Sequence, residues 1–363
     1  MKRGYLWLLL ACGLLGVAAW LMPSNDPAGK QGKESAAAVS FPDHPAAADQ
    51  AKMQQRRTLP PQAGQSAPTA PGAVAALPAK RDPLLVALPP DRELMVFELS
   101  SFFKQPLGQM FSACMRSDAF WHGFESKGLD LGEVDRVAVG NLWSSERLVV
   151  VSGNALHADP TQMYRLKEPT AYGVGGQVFA PVEPLPSDAW TPPYVALWNK
   201  TTVLFSTSLR AVHEALDRLD GRTPAEPAFP QDEAYSQAYG VVTARSLAEA
   251  VSSLGLSEQL RRADLTAHFH IAVSDDAAIV LDAQGSSADA REVAKALAAM
   301  LAAKRVQAAS AHDKRASKLL DLYSVMPQPH GFQLKVAVPL SFLQDVLAGC
   351  AHSDKGAAGA TRP

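Results

Sequence analysis

Leu265-Thr266-Ala267-His268-Phe269-His270-Ile271-Ala272-Val273, then Ser274-Asp275-Asp276, then Ala277–Ala283, is the stretch on which the fold turns. Leu265, Ala267, Phe269, Ile271 and Val273 recur every second residue, the period at which side chains share one face of a strand. Aspartates favour turns because they bond to their own backbone. The stretch therefore predicts an antiparallel hairpin with its odd-numbered residues inward, and places His268 and His270 on the wet face.

The same grammar extends in both directions. Downstream, Ser286 caps a long helix, with Asp289 in the acidic position of a capping box and Val293, Leu297 and Leu301 along one face. A helix over Lys314–Val325, a strand over Phe332–Val338 and a helix over Leu340–Ala348 follow, then a small, polar tail at 351–363 read as disordered. Upstream, Tyr239–Thr243 reads as a strand and Ala244–Leu254 as a helix, preceded by a proline-bearing joint at 222–232.

Before that joint the pattern runs through a strand at Arg92–Leu99 and a helix capped by Ser100 or Ser101 that continues to about Met115. A hairpin of Glu133–Leu142 and Arg147–Gly153 comes next, followed by strands at Ala171–Pro181, broken by Gly173, Gly175 and Gly176, at Tyr194–Trp198 and at Val203–Thr207. Ser208 then caps a helix that Asp220-Gly221 ends.

Met95–Phe103, Gly240–Leu247 and Lys335–Phe342 each run strand, cap, amphipathic helix, which points to duplication. The expected fold class is α+β: two ferredoxin-like or similar halves, 91–221 and 233–350, with antiparallel sheets covered by helices.

Ahead of the body lie two segments of different character. Tyr5–Met22 holds no charge and follows Lys2 and Arg3. At ~1.5 Å per helical residue it covers about 27 Å, near the ~30 Å apolar core of a bilayer. Flanking basic residues stay cytoplasmic, so the expectation is a signal-anchor at 1–22 and an extracytoplasmic body, in periplasm or at the cell surface. Val17-Ala18-Ala19 offers an alternative: cleavage after Ala19, which yields a secreted protein. Leu9-Leu10-Ala11-Cys12 offers lipidation.

Residues 23–90, dense in proline and lacking spaced large apolar residues, read as a disordered linker. As a flexible coil it would span roughly 45 Å.

The net charge of −2, from 34 basic and 36 acidic residues, gives no basic excess for nucleic acid. Three cysteines make no disulfide scaffold, but Cys114 and Cys350 are the pair outside the leader and are candidates for one bridge. His268-x-His270 is the most metal-like pair, and only His312 and His330 stand as distant further ligands. Gly173-x-Gly175-Gly176 reads as a hairpin turn or bulge, because phosphate cradles end at a helix and this one runs into a strand.

G-x-S-x-G is absent, and Asp275-Asp276 sits in a turn. Trp190-Thr191-Pro192-Pro193-Tyr194 forms the candidate recognition loop, with Trp190 and Tyr194 as rings for a sugar or peptide. No cofactor is implied. The sequence leans away from an enzyme, toward a membrane-tethered binding or scaffolding protein with an envelope protein or glycan as partner. The alternative is an envelope enzyme whose site assembles only in three dimensions.

Overall fold

A computed structural model describes residues 41–42, 82–90, 93–110, 133–142, 146–153, 166–182, 194–199, 201–224, 226–230, 232–250, 257–274, 276–313, 317 and 320–339. The chain divides into two compact units: Asp43–Phe102 with Trp121–Val242, and Met1–Pro42 with Phe103–Phe120 and Thr243–Pro363.

The first unit holds helix α1 (Pro83–Ala87), strand β1 (Leu94–Phe97), helix α2 (Leu99–Phe102) and the hairpin β2 (Val134–Gly140) and β3 (Leu148–Gly153). It continues through β4 (Thr170–Tyr172), β5 (Gly176–Phe179), β6 (Tyr194–Trp198), β7 (Thr202–Ser206), helix α3 (Leu209–Leu219) and β8 (Ala238–Thr243). Its strands lie in the order β8-β1-β2-β3-β7-β6-β5-β4, every neighbour antiparallel.

Register explains the core. Directly paired residues face the same way, so Tyr239, Val96, Ala138, Val150, Leu204, Ala196 and Val178 form one buried row across seven strands. Helix α1 with its C-cap Leu88, and helix α3, supply Leu84, Leu85, Leu88, Val212 and Leu216 to the same core. Ser208 caps α3 by accepting a bond from the Ala211 amide at 3.3 Å, and Gly221 follows it at a positive φ of 70°.

The second unit carries helices α4 (Ala244–Ala250) and α5 (Ser257–Arg262), the hairpin β9 (Leu265–Val273) and β10 (Asp276–Gly285), helix α6 (Ser287–Ser310), and the hairpin β11 (Tyr323–Gln328) and β12 (Gly331–Pro339). The order is β11-β12-β10-β9, again antiparallel throughout. Ser286 caps α6 through the Asp289 amide at 3.1 Å.

This architecture overturns the ferredoxin-like reading. The expectation is of antiparallel sheets covered by helices, whereas here twelve described strands pair antiparallel and sheet predominates over few helices. The two units resemble one another in strand order. Each unit holds two hairpins whose second strands are neighbours: β2-β3-β7-β6 in one and β9-β10-β12-β11 in the other. A strand running into a helix, β1–α2 or β8–α4, precedes each set. Between the hairpins comes a third hairpin, β4–β5, in the first set and the long helix α6 in the second.

Three further boundaries shift. Tyr323–Gln328, inside and just beyond the expected helix at Lys314–Val325, is strand β11, paired from Tyr323↔Val336 to Gln328↔Gly331. The expected strand at Ala171–Pro181 is the β4–β5 hairpin, with Gly173, Val174 and Gly175 in its turn.

Order also begins before Asp91. Leu84, Leu85 and Leu88 are buried, and Pro83 occupies the first helical turn, where its missing donor costs nothing. The helix expected from Ser100 or Ser101 to Met115 is interrupted, since α2 ends at Phe102 and a turn follows at 103–104. Its last residues, leader residues Tyr5–Met22, the helix expected over Leu340–Ala348, and Cys114 and Cys350 lie outside the described residues. No described helix is long and apolar enough to cross a membrane.

Candidate functional site

The densest grouping of chemically capable side chains among the described residues is the corner where the β4–β5 hairpin meets the C-terminal end of α3. The turn forces Gly173 to φ +67°, and a Cβ there would collide with the Asp220 carboxylate. That close approach lets Asp220, at the C-cap of α3, accept from the Val174 amide at 2.9 Å and from Trp198 Nε1 of β6 at 2.9 Å.

Arg222 closes the set. Its Nη2 lies 2.7 Å from Asp217 Oδ1 and 3.4 Å from Asp220 Oδ2, and its guanidinium sits 4.4 Å from the centre of the Tyr172 ring. Tyr172 also stacks on His213 of α3, with centroids 4.1 Å apart and planes 8° from parallel, and its hydroxyl donates to Asp217 Oδ2 at 3.4 Å.

Burial, opposed by Asp217 and reinforced by Arg222, pulls the His213 imidazole below its ordinary value. Burial followed by the Asp217 charge pushes the Tyr172 phenol up. Both directions favour neutral rings in the stack. The two carboxylates of the corner share the Arg222 guanidinium, while Val174 at the hairpin tip remains 77% exposed.

A second polar constellation is interior. Asp82 caps α1, with Oδ1 accepting from the Leu84 amide at 3.0 Å, and receives Arg136 of β2 on both oxygens at 2.6 and 2.9 Å. Glu98 stands 4.0 Å from Arg136 and accepts from the Tyr239 hydroxyl at 3.3 Å. Burial alone would lower Arg136; the Asp82 charge and hydrogen bond, with Glu98 adding, outweigh it and hold the guanidinium above its usual value. Arg136 and Asp82 are each less than a tenth exposed, so this network holds the fold together out of reach of a ligand.

The third candidate is a cavity of about 220 Å³ between α5 and α6, lined by Glu258, Gln259, Arg262, Asp289, Glu292 and Val293. Arg262 is paired with Glu258 at 2.7 Å, and Asp289 accepts from the Asp264 amide at 3.5 Å.

The residues singled out in the sequence scatter. His268 is half-buried on β9 opposite Asp282, whose carboxylate accepts from Gln333 at 2.7 Å. His270 is buried, at 3% exposure, opposite Val280. The wet-face reading of His270 is thereby corrected: strand parity assigns a face, and this face is covered at that point.

His312 lies just past the C-cap of α6 at a positive φ of 56°, and His330 lies in the β11–β12 turn. Among the described residues no group of three or more His, Cys, Asp or Glu is placed to hold a metal ion. Tyr194 opens β6 half-buried opposite Ser206, and Trp190 lies outside the described residues.

The sequence reading missed Tyr172, His213, Asp217, Asp220 and Arg222 as a group. Asp220-Gly221 reads only as a helix end, and the turn expected at Gly173-x-Gly175-Gly176 carries no sign in the sequence that it folds Tyr172 onto α3. Comparison with family models, with characterised proteins and with solved structures finds no match.

Proposed function

We propose that the chain is a membrane-tethered, extracytoplasmic binding or scaffolding protein, held by Tyr5–Met22 and contacting an envelope protein through the β4–β5 corner. One observation carries the reading of the corner: its charged and aromatic groups contact one another, and the side chain it thrusts into solvent is apolar Val174. A pre-ordered platform loses little freedom on binding, so an apolar contact there is used efficiently. An exported leader and a long proline-rich segment fit a domain that samples space beyond the bilayer.

Two arms test this. In a fractionation of intact cells, the full chain stays with the membrane through alkaline washing while residues 23–363 do not; a full chain released by the wash removes the tether. A photoreactive residue at Val174 gives a discrete protein adduct in cells, whereas one at exposed Ser324 gives none. Adducts of equal yield from both positions remove the corner as the contact.

A further inference from the structure

One face of the second unit is covered where strand parity makes it wet. On β9, β10 and β12 the register pairs His270 with Val280 and Val280 with Lys335, and in the next row Ala278 with Ala337. These residues share a face. His270, Ala278, Val280 and Ala337 are each no more than 3% exposed, although the other end of that face, at Thr266 and Gln284, is open to solvent.

Over Lys335 sits Phe41, whose ring centre is 5.4 Å from Nζ, and both Phe41 and Pro42 are half-buried. An ammonium within ~6 Å of a ring centroid is attracted by the ring's quadrupole. Phe41 is the one phenylalanine between Pro23 and Pro90, and proline directly after it fixes the local backbone direction.

We propose that Phe41-Pro42 is an intrachain strap, docked on the Lys335 face of β12, so that the proline-rich segment is fastened to the body partway along. The occupant is this chain's own ring, and the recognition is cation–π attraction above a sheet face that is already apolar. The docking stands on the contacts of the second unit alone; only its consequence rests on the membrane-tether reading. If the tether is free over 23–40 instead of 23–81, its r.m.s. span falls from roughly 42 to roughly 23 Å. The body would then work much closer to the bilayer.

The test places a single 4-fluorophenylalanine at position 41 of the full-length chain and reads its fluorine resonance beside that of a free peptide covering 30–57. A docked ring gives a resonance displaced from the peptide. Lys335→Met raises the undocked population about two- to five-fold, the factor matching an exposed cation–π pair, and Lys335→Arg restores docking.

Backbone amide spectra of β9 and β10 run alongside, so a misfolded variant is recognised and replaced by Lys335→Gln. A resonance at the peptide position in the unsubstituted protein overturns the strap. So does a displaced resonance that ignores Lys335→Met while the amide spectra stay native, since Lys335 would then not be its seat.

Discussion

The two hairpin sets share a strand order and differ in how each hides a titratable side chain on its first strand. On β2, Arg136 has no neutral form to retreat to, and two carboxylates accompany it: Asp82 by two hydrogen bonds and Glu98 at 4.0 Å. On β9, His270 is buried opposite Val280, within the covered face of its own sheet.

The first arrangement recruits residues from before the first strand, because Asp82 and α1 are what make Arg136 tolerable. Its fold therefore depends on chain that looks like linker. The second set lies in a unit that also takes in Phe103–Phe120, and the Phe41 strap adds cover to it.

That contrast predicts its largest effect at the domain edge. A chain beginning at Asp91 removes Leu84, Leu85 and Leu88, buried leucines whose truncation to alanine costs about 2–5 kcal/mol each. The sum approaches a whole domain's stability of ~5–15 kcal/mol, so the first unit should fail to fold. A chain beginning a few residues ahead of Asp82 should fold. Circular dichroism melting of the two chains decides it, and equal unfolding midpoints would refute the role of α1.

Next in size is the ion pair itself. Asp82→Ala strands a buried guanidinium and removes the α1 cap, with an expected loss of about 3–5 kcal/mol in denaturant unfolding. Replacing both partners, as Asp82→Asn with Arg136→Met, should recover much of that loss. A double variant no better than Asp82→Ala would show that the pair does more than neutralise itself.

His270→Ala should cost about 1–3 kcal/mol and His268→Ala less than ~0.5, because only the former empties a buried site. Equal small losses would mean that the His270 face is wetter than described.

These cases also show what the sequence could and could not reveal. Local chemistry was legible: Ser208 and Ser286 cap their helices, the β9–β10 hairpin starts at Leu265 as read, and Gly173-x-Gly175-Gly176 makes a turn. What failed was whatever a distant segment decides. Tyr323–Val325 continues a helix-compatible pattern that pairing with β12 overrides. Leu84–Leu88 is bracketed by prolines and reads as linker until Arg136, 54 positions on, supplies a reason for Asp82 to be buried. Alternation placed His270 correctly on its face but could not say that the face is covered. The corner was illegible for the same reason, since Tyr172 and Arg222 meet only through the β4–β5 hairpin folding onto α3.

Within that corner, Asp220→Ala should cost about 1–3 kcal/mol, since it leaves the Trp198 indole N–H and the Val174 amide without their acceptor. The damage should be local. Amide exchange should quicken in β4–β5 while β9–β12 are unchanged, and uniform quickening would place Asp220 in the global fold instead.

The smallest expected effect is on pH dependence, and it concerns His213. Burial holds its folded value below the ordinary ~6.5 of a free histidine. The unfolded chain then takes up the proton more readily than the folded one, so the stabilising contribution is complete above ~6.5 and drains as pH falls toward the lower folded value. Asp217 opposes the shift and Arg222 reinforces it, and the ring is half-open to solvent, so the loss should be modest.

His213→Phe keeps a flat ring against Tyr172 and removes the proton, which isolates the effect. Urea unfolding of both proteins at pH 7.5 and at pH 5 should show the native chain losing ground to the variant on acidification. If the native chain instead gains, the imidazolium is the form that the Tyr172 face and Asp217 prefer, and the stack is a charge-assisted one that tightens in acid.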